Sequence, residues 1–410
     1  MAQGLFVFVI LFSSLSVYAL EGSDILEKTL LEKNQEFISL QKKVESKMAL
    51  SEASRSAFYP TLNAVGGWGQ NRTDDITATE KGYLGYIEGR LNIFRGFKDQ
   101  TNSDQASIEV DFIKLELESK KRELRLQLTE AVSNMILLHK FEDILEEELK
   151  VTQTQRQMAA RKVAAGLTGS VDNLEFDLRE SEIQIEQKQI HQQHQETHQI
   201  FNKLFGEDIT DIDLEKLDFS NAGKLSNLTT QLKIETTLDY QKAEIQQRKS
   251  ELDRKAANAD FLPSVDFTYS AGRITPSDES PMKFNESRYA LLVTIPLFTG
   301  FESYYKIKSA NFISNSAEKL TLQKRNDVSA DFAIAKTKAN ELTELFQINE
   351  NKLVLSQKYF DLTLSEYKRG IKNSPDLVSA TERLFSSKKK KFELLKELEL
   401  LKVKIENLIR

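Results

Sequence analysis

The chain is one large unit written twice. Phe58-Tyr59-Pro60-Thr61 returns as Phe261-Leu262-Pro263-Ser264, and Leu91-Asn92-Ile93-Phe94-Arg95-Gly96-Phe97 returns as Ile295-Pro296-Leu297-Phe298-Thr299-Gly300-Phe301. Gly166-Leu167-Thr168-Gly169-Ser170-Val171-Asp172 returns as Gly370-Ile371-Lys372-Asn373-Ser374-Pro375-Asp376, and the offsets are 203 to 204 residues. Solenoid repeats have periods of roughly 20–50 residues, so this is a duplicated large unit instead. The first copy spans residues 20–222 and the second 223–410, behind a leading segment of residues 1–19.

Proline placement sets the element type. Of six prolines in 410 residues, none falls between Pro60 and Pro263 or between Pro296 and Pro375, so two long stretches lack a helix breaker. From Lys98 to Ala165 the pattern predicts one helix roughly 100 Å long. Leu117, Leu124, Ala131, Leu138 and Leu145 keep seven-residue spacing there, with Leu128, Met135 and Leu149 as a second seam. The second copy repeats this from Tyr304 to Arg369, and Leu394, Leu398, Leu401, Ile405 and Leu408 mark the returning helix. At the end of each long helix, Gly166 and Gly370 suit the left-handed position after a helix, and Ser170 and Ser374 suit the N-cap of the next. Each landmark therefore reads as a tight tip between antiparallel helices.

Between the helices the period changes to two. Leu62, Ala64 and Trp68 alternate with Asn63, Gly67 and Gly69, while Tyr83, Ile87, Leu91 and Ile93 oppose Glu88, Arg90 and Asn92. In the second copy Val265, Phe267, Tyr269 and Ala271 alternate with Asp266, Thr268 and Ser270, and Tyr289, Leu291, Val293, Ile295 and Leu297 form one apolar face. The expected strands cover about 62–70, 83–94, 264–273 and 287–298, with polar loops at about 71–82 and 274–286 facing the exterior. Strands near ten residues with one apolar and one polar face suit a transmembrane barrel. Closed barrels begin at about eight strands, so four strands require several chains.

Residues 1–19 read as a secretory signal, with an apolar core from Leu5 to Leu15 and Val17-Tyr18-Ala19 at the cleavage position, although no Lys or Arg precedes the core. Zero cysteines exclude disulfides, thiol catalysis and a lipid-modified cysteine, and a net charge of −6 gives no footprint for nucleic acid.

Taken together, the F-x-P-[ST] strand entries, the [LI]-x-[IL]-F-x-G-F exits and the paired Gly-to-Asp tips resemble the TolC family of outer-membrane efflux proteins over nearly the full mature length. The resemblance implies a mainly α protein with a β-barrel part. Duplicated long helical hairpins would form an α-barrel, and three chains would give four transmembrane strands each to a twelve-stranded barrel. It implies a homotrimeric exit duct of a tripartite efflux pump or type I secretion system, in outer-membrane lipid with a long periplasmic extension. The partners would be a periplasmic adaptor and an inner-membrane pump or ABC exporter, with no cofactor and no enzymatic activity. The alternative is a soluble periplasmic coiled-coil adaptor or scaffold.

By alignment on the tip glycines, the family's docking segments fall on Ala165-Gly166-Leu167 and Arg369-Gly370-Ile371, where the first position of each departs from the family pattern. The periplasmic gate of the family falls on Tyr367, Lys372, Asp376 and Asp172. Here Ser379 stands where some relatives carry a second aspartate, and Lys372 stands where they carry arginine.

Other signals are weaker. His191, His194 and His198 share a helical face, but no cysteine or carboxylate pair supports a metal site, and the expectation is a Gln-rich polar face. Lys388-Lys389-Lys390-Lys391 reads as a solvated helix face. Trp68, Tyr83 and Tyr86 are candidate membrane-interface aromatics. No nucleophile motif, phosphate loop or metal signature is present.

Overall fold

The structure, a computed structural model, describes residues 23–72, 79–207, 219, 232–277 and 286–409. The expected signal segment and the centres of both inter-strand loops lie outside the described residues. In chain order the elements are α1 (Ser23–Lys33), α2 (Gln35–Ser54), β1 (Thr61–Arg72), β2 (Thr79–Arg95), α3 (Lys98–Ala164) and α4 (Val171–Phe205). The second half supplies α5 (Leu238–Ala259), β3 (Ser264–Ser277), β4 (Glu286–Thr294), α6 (Glu302–Lys368) and α7 (Ser374–Ile409). Both long helices thus run unbroken for 67 residues, as the proline spacing predicts. No helix among the described residues is long and apolar enough to cross a membrane.

The F-x-G-F repeat has a local cause. Gly96 and Gly300 take φ of 60° and 66°, and the phenylalanine after each is also left-handed, at 65° in both copies. A bulky residue in that region is strained. Phe97 meets Phe94 edge-on at 5.2 Å, and Phe301 meets Phe298 edge-on at 5.5 Å, although Phe97 and Phe301 stay mostly exposed. The carbonyls of Phe97 and Phe301 then accept the first helical N–H, from Thr101 and Tyr305. The motif is a twice-used hinge from strand into helix.

The chain divides into two compact units, and each draws on both sequence copies. One comprises Glu36–Arg122, Thr230–Ile334 and Glu406–Arg410 and contains all four strands. They form one antiparallel sheet in the order β1-β2-β3-β4. Trp68 pairs with Tyr83 and Ala64 with Ile87; Ile87 pairs with Ala271 and Leu91 with Phe267; Tyr269 pairs with Tyr289 and Phe267 with Leu291. Directly paired residues share a face, so one side of the sheet is apolar and exposed, with Trp68 at 62%, Tyr289 at 77% and Leu291 at 61%. The other side carries a ladder across all four strands, Asn63–Glu88–Ser270–Arg288. Among the described residues β1 pairs only with β2 and β4 only with β3, so both edges are open.

The register revises three details of the sequence reading. Ile93 sits at a register shift between Asn92 and Phe94 and leaves the regular alternation. β4 ends at Thr294, so Ile295 and Leu297 lie beyond it; Pro296 has no N–H to continue a ladder. Tyr86 pairs with Val65 and faces the polar side, which leaves Trp68 and Tyr83 as the aromatics of the apolar face. In the same unit, Glu109 of α3 accepts from Lys47 of α2 at 3.1 Å and Lys249 of α5 at 2.9 Å. The Lys249 and Lys47 hydrogen bonds hold its carboxyl below the usual range.

The other unit, Met1–Gln35, Glu123–Thr229 and Ala335–Ile405, contains helices and turns but no strand among the described residues. The heptad seam of α3 is its core: Leu138 and Leu145 pack against Ile183 and Ile190 of α4. Leu394, Leu398, Leu401 and Ile405 of α7 are buried as their spacing predicts. The four-lysine run is a solvated face only at Lys390, which stays exposed, while the other three lysines are part-buried. Lys388 pairs with Glu147 at 2.7 Å, Lys389 with Glu186 at 2.7 Å, Lys390 with Glu393 at 2.9 Å and Lys391 with Glu350 at 3.2 Å. One turn of α7 therefore ties to α3, α4 and α6 through Lys388, Lys389 and Lys391, whose glutamate partners come from helices distant in sequence, while Lys390 pairs within α7.

Candidate functional site: the helical tips

Both tips close by the same hydrogen-bond pattern. At the first, the Gly166 N–H donates to Val163 O at 2.9 Å and the Leu167 N–H to Lys162 O at 2.9 Å. At the second, Gly370 donates to Tyr367 O at 3.0 Å and Ile371 to Glu366 O at 2.9 Å. These are paired Schellman closures with glycine left-handed, φ 68° and 77°. A Cβ on either glycine would meet nothing within 4 Å, so backbone conformation rather than space dictates glycine here. Ala165, Gly166, Leu167, Arg369, Gly370 and Ile371 are all exposed. Leu167 and Ile371 are 73% and 64% exposed, two apolar side chains without cover at the loop ends.

The returning helices start differently. Ser170 occupies the N-cap of α4 but makes no capping bond with its side chain. On the second tip the cap is Asn373, not Ser374: the Asp376 N–H donates to Asn373 Oδ1 at 3.1 Å and the Asn373 N–H to Asp376 Oδ2 at 3.4 Å. This reciprocal box frees Ser374 to turn inward, where it is fully buried. Lys372 lies 3.8 Å from Asp376, both partly exposed.

Tyr367 is fully buried, within a cluster of Ala159 from α3, Phe176 from α4, Phe360 from α6, and Leu377 and Leu384 from α7. Phe176 meets its ring edge-on at 6.2 Å, and Ser374 Oγ donates to its hydroxyl at 3.4 Å. The Lys162 ammonium lies 3.8 Å from the ring centroid and also donates to the Tyr367 carbonyl. Burial pushes the phenol up from its ordinary range; Ser374 opposes this and the negative charge of Asp172 adds to it. The structure thus gathers Tyr367 and the field of Asp172 in one chain, while Lys372 and Asp376 form a separate exposed pair. Sequence reasoning missed Lys162, Phe176 and Asn373. The available signal was positional: Lys162 and Phe176 flank the first tip as Glu366 and Ala380 flank the second.

Higher in the same unit, Glu148 of α3 is fully buried, receives a hydrogen bond from Arg179 of α4 and lies 3.8 Å from Lys389 of α7. Burial holds its carboxyl above the usual range despite both cations. Arg179 also reaches Glu182 at 2.8 Å and Glu382 at 3.2 Å. The histidine face holds no metal constellation: among the described residues no group of three His, Asp or Glu side chains is arranged to bind an ion. His191 instead contacts Gln195 at 3.2 Å and His198 contacts Asn202 at 3.4 Å, each one turn along the helix.

A sheet with one apolar face and open edges, together with duplicated long helical hairpins, is the architecture of a mainly α chain with a β part. A family model described as outer membrane efflux protein matches residues 26–207 and 230–406, and the chain belongs to that family. Among solved structures, the outer-membrane channel OprN is similar at a TM-score of 0.83 with 15% identity, over 94% of this chain and 89% of its own. VceC of Vibrio cholerae is similar at 0.81 with 12% identity, over 95% and 96%. The open state of the MtrE channel of Neisseria gonorrhoeae is similar at 0.77 with 16% identity, over 94% and 88%. No curated protein sequence matches the chain.

Proposed function

We propose that three copies of this chain form an outer-membrane exit duct. The observation that carries this reading is the four-stranded sheet: its apolar face needs lipid, its polar ladder needs water, and its two open edges need further strands. Twelve strands from three chains satisfy all three needs. Exposed apolar rows at seven-residue spacing support assembly through the helices as well: Val171, Leu178 and Ile185 on α4, and Ile348, Leu355 and Leu362 on α6. The duct performs no chemistry; an inner-membrane pump or ABC exporter supplies energy through a periplasmic adaptor.

In this reading Leu167 and Ile371, presented by Gly166 and Gly370 beside Ala165 and Arg369, receive the adaptor. Lys372 and Asp376 supply the charges at the periplasmic constriction, where three-fold symmetry crowds like groups. Tyr367 and Asp172 act from within each chain by setting where the tips stand.

The test is purification of the full-length protein from outer membranes, its mass in detergent, and its conductance in planar bilayers. A trimer that conducts supports the duct. A monomer released by alkaline carbonate and unable to conduct refutes it and favours a soluble coiled-coil adaptor. Replacing Lys372 and Asp376 with neutral residues raises single-channel conductance if they line the constriction; unchanged conductance in an intact trimer removes that assignment.

A further inference from the structure

We infer that Lys162 is the positioning residue that couples the two helical tips of one chain, by capping the second long helix from the end of the first. The inference deepens the duct reading, since it assigns the coupling on which tip movement depends. It stands on geometry that the sequence repeat cannot supply by symmetry.

Lys162 lies on the last turn of α3, where its own carbonyl accepts the Leu167 N–H of the first tip. Its ammonium crosses to the second tip and donates to the Tyr367 carbonyl. That carbonyl already accepts the Gly370 N–H at 3.0 Å, so both its lone pairs are used, one by its own tip and one by the other. The last carbonyls of a helix are orphaned and carry the negative end of the macrodipole, which makes a cation there doubly favourable. The same ammonium sits 3.8 Å from the Tyr367 ring centroid, on the electron-rich face.

Tyr367 passes the constraint on. Its ring meets Phe176 of α4, and its hydroxyl accepts from Ser374 of α7. Through one side chain, Lys162 therefore engages all four helices beside the tips. Counting from the tip glycines, the second-copy counterpart of Lys162 is Glu366, and the first-copy counterpart of Tyr367 is Val163. An acidic residue and an aliphatic one cannot make the reciprocal contact. The coupling runs one way, from the cation of the first tip to the aromatic of the second.

The test uses the full-length trimer, whose lack of cysteine allows a single labelled pair. Leu167→Cys and Ile371→Cys, both exposed, carry spin labels, and co-expression with excess cysteine-free chain confines the pair to one protomer. Pulsed dipolar spectroscopy then reads the tip-to-tip distance. Lys162→Met keeps the stem but loses the donor and the charge; it is expected to broaden the distribution and shift it longer. Lys162→Arg, which keeps a charged donor, restores the wild-type distribution. An unchanged distribution in Lys162→Met overturns the coupling. If that variant fails to assemble, Lys162→Leu, which likewise lacks donor and charge, is read the same way. Conductance on the same samples separates the two readings: a longer distance without altered conductance keeps the coupling and removes the gate.

Discussion

Replacing Gly370 separates the capping role of the tip from the docking role proposed for it. At φ 77° an L-residue pays for the left-handed backbone, and since a Cβ would meet nothing within 4 Å, no steric cost adds to it. The expected penalty for Gly370→Ala is therefore the conformational one alone, ~1–2 kcal/mol. Gly370→Asn costs less, because asparagine visits this region readily. The penalty falls on the local opening that breaks the Gly370-to-Tyr367 and Ile371-to-Glu366 bonds. Hydrogen exchange of the Ile371 amide in the intact trimer reads that opening directly. Alanine should lower its protection about 5- to 30-fold, the range that 1–2 kcal/mol covers, and asparagine should fall between alanine and glycine. Gly166→Ala should behave alike at Leu167, since that site is equally open at φ 68°. Equal protection in the alanine and glycine proteins, or asparagine worse than alanine, refutes the argument that backbone conformation alone selects glycine. An asparagine variant that keeps its protection and its conductance but loses adaptor binding assigns the docking role separately.

Glu148→Gln should flatten part of the pH dependence of stability. A carboxyl raised above 4.5 in the folded state destabilises it when ionised; the wild type therefore gains stability, relative to the glutamine variant, as pH falls from above the raised folded value towards 4.5. Parallel pH profiles of melting temperature for the two proteins would contradict this. Gly272→Ala should abolish most folded trimer on semi-native gels, because its Cβ would lie 2.5 Å from Gly85 O at φ 144°, adding a clash to the ~1–3 kcal/mol of backbone strain; a normal yield of trimer would show that the sheet yields there. Asn373→Ala should cost about 0.5–2 kcal/mol through the lost cap, seen as faster exchange of the Asp376 amide, whereas Asp376→Asn should alter ion selectivity with little change in that exchange.

What the sequence made legible was everything with a period. Proline spacing gave the unbroken helices, heptads gave the α3–α4 seam through Leu138 and Leu145, and two-residue alternation gave the apolar sheet face. What it concealed were contacts between elements far apart in the chain. Lys389 reads as one lysine among four until Glu186 arrives from α4 and Glu148 from α3. Asn373 was passed over for Ser374 because both residue types cap helices, and only the inward turn of Ser374 towards Tyr367 decides between them. Tyr367 is singled out by the sequence only through alignment of the tip glycine with the family's gate, and its complete burial depends on Phe176 and Leu377, which no spacing rule connects to it.

The duplication gives the two tips the same closure and different interiors. Identical Schellman bonds follow from glycine at equivalent positions, so each copy can end its helix without help from the other. Beyond those bonds the copies exchange parts: Lys162 and Val163 stand where Glu366 and Tyr367 stand in the second copy. The contact joins non-equivalent positions, four residues before the first glycine and three before the second. A cation from one and an aromatic carrying a free carbonyl lone pair from the other form a complementary pair, and that pair is what Lys162 and Tyr367 make. Divergence of the repeat at these two positions makes the link run one way, because Glu366 and Val163 cannot form its reciprocal.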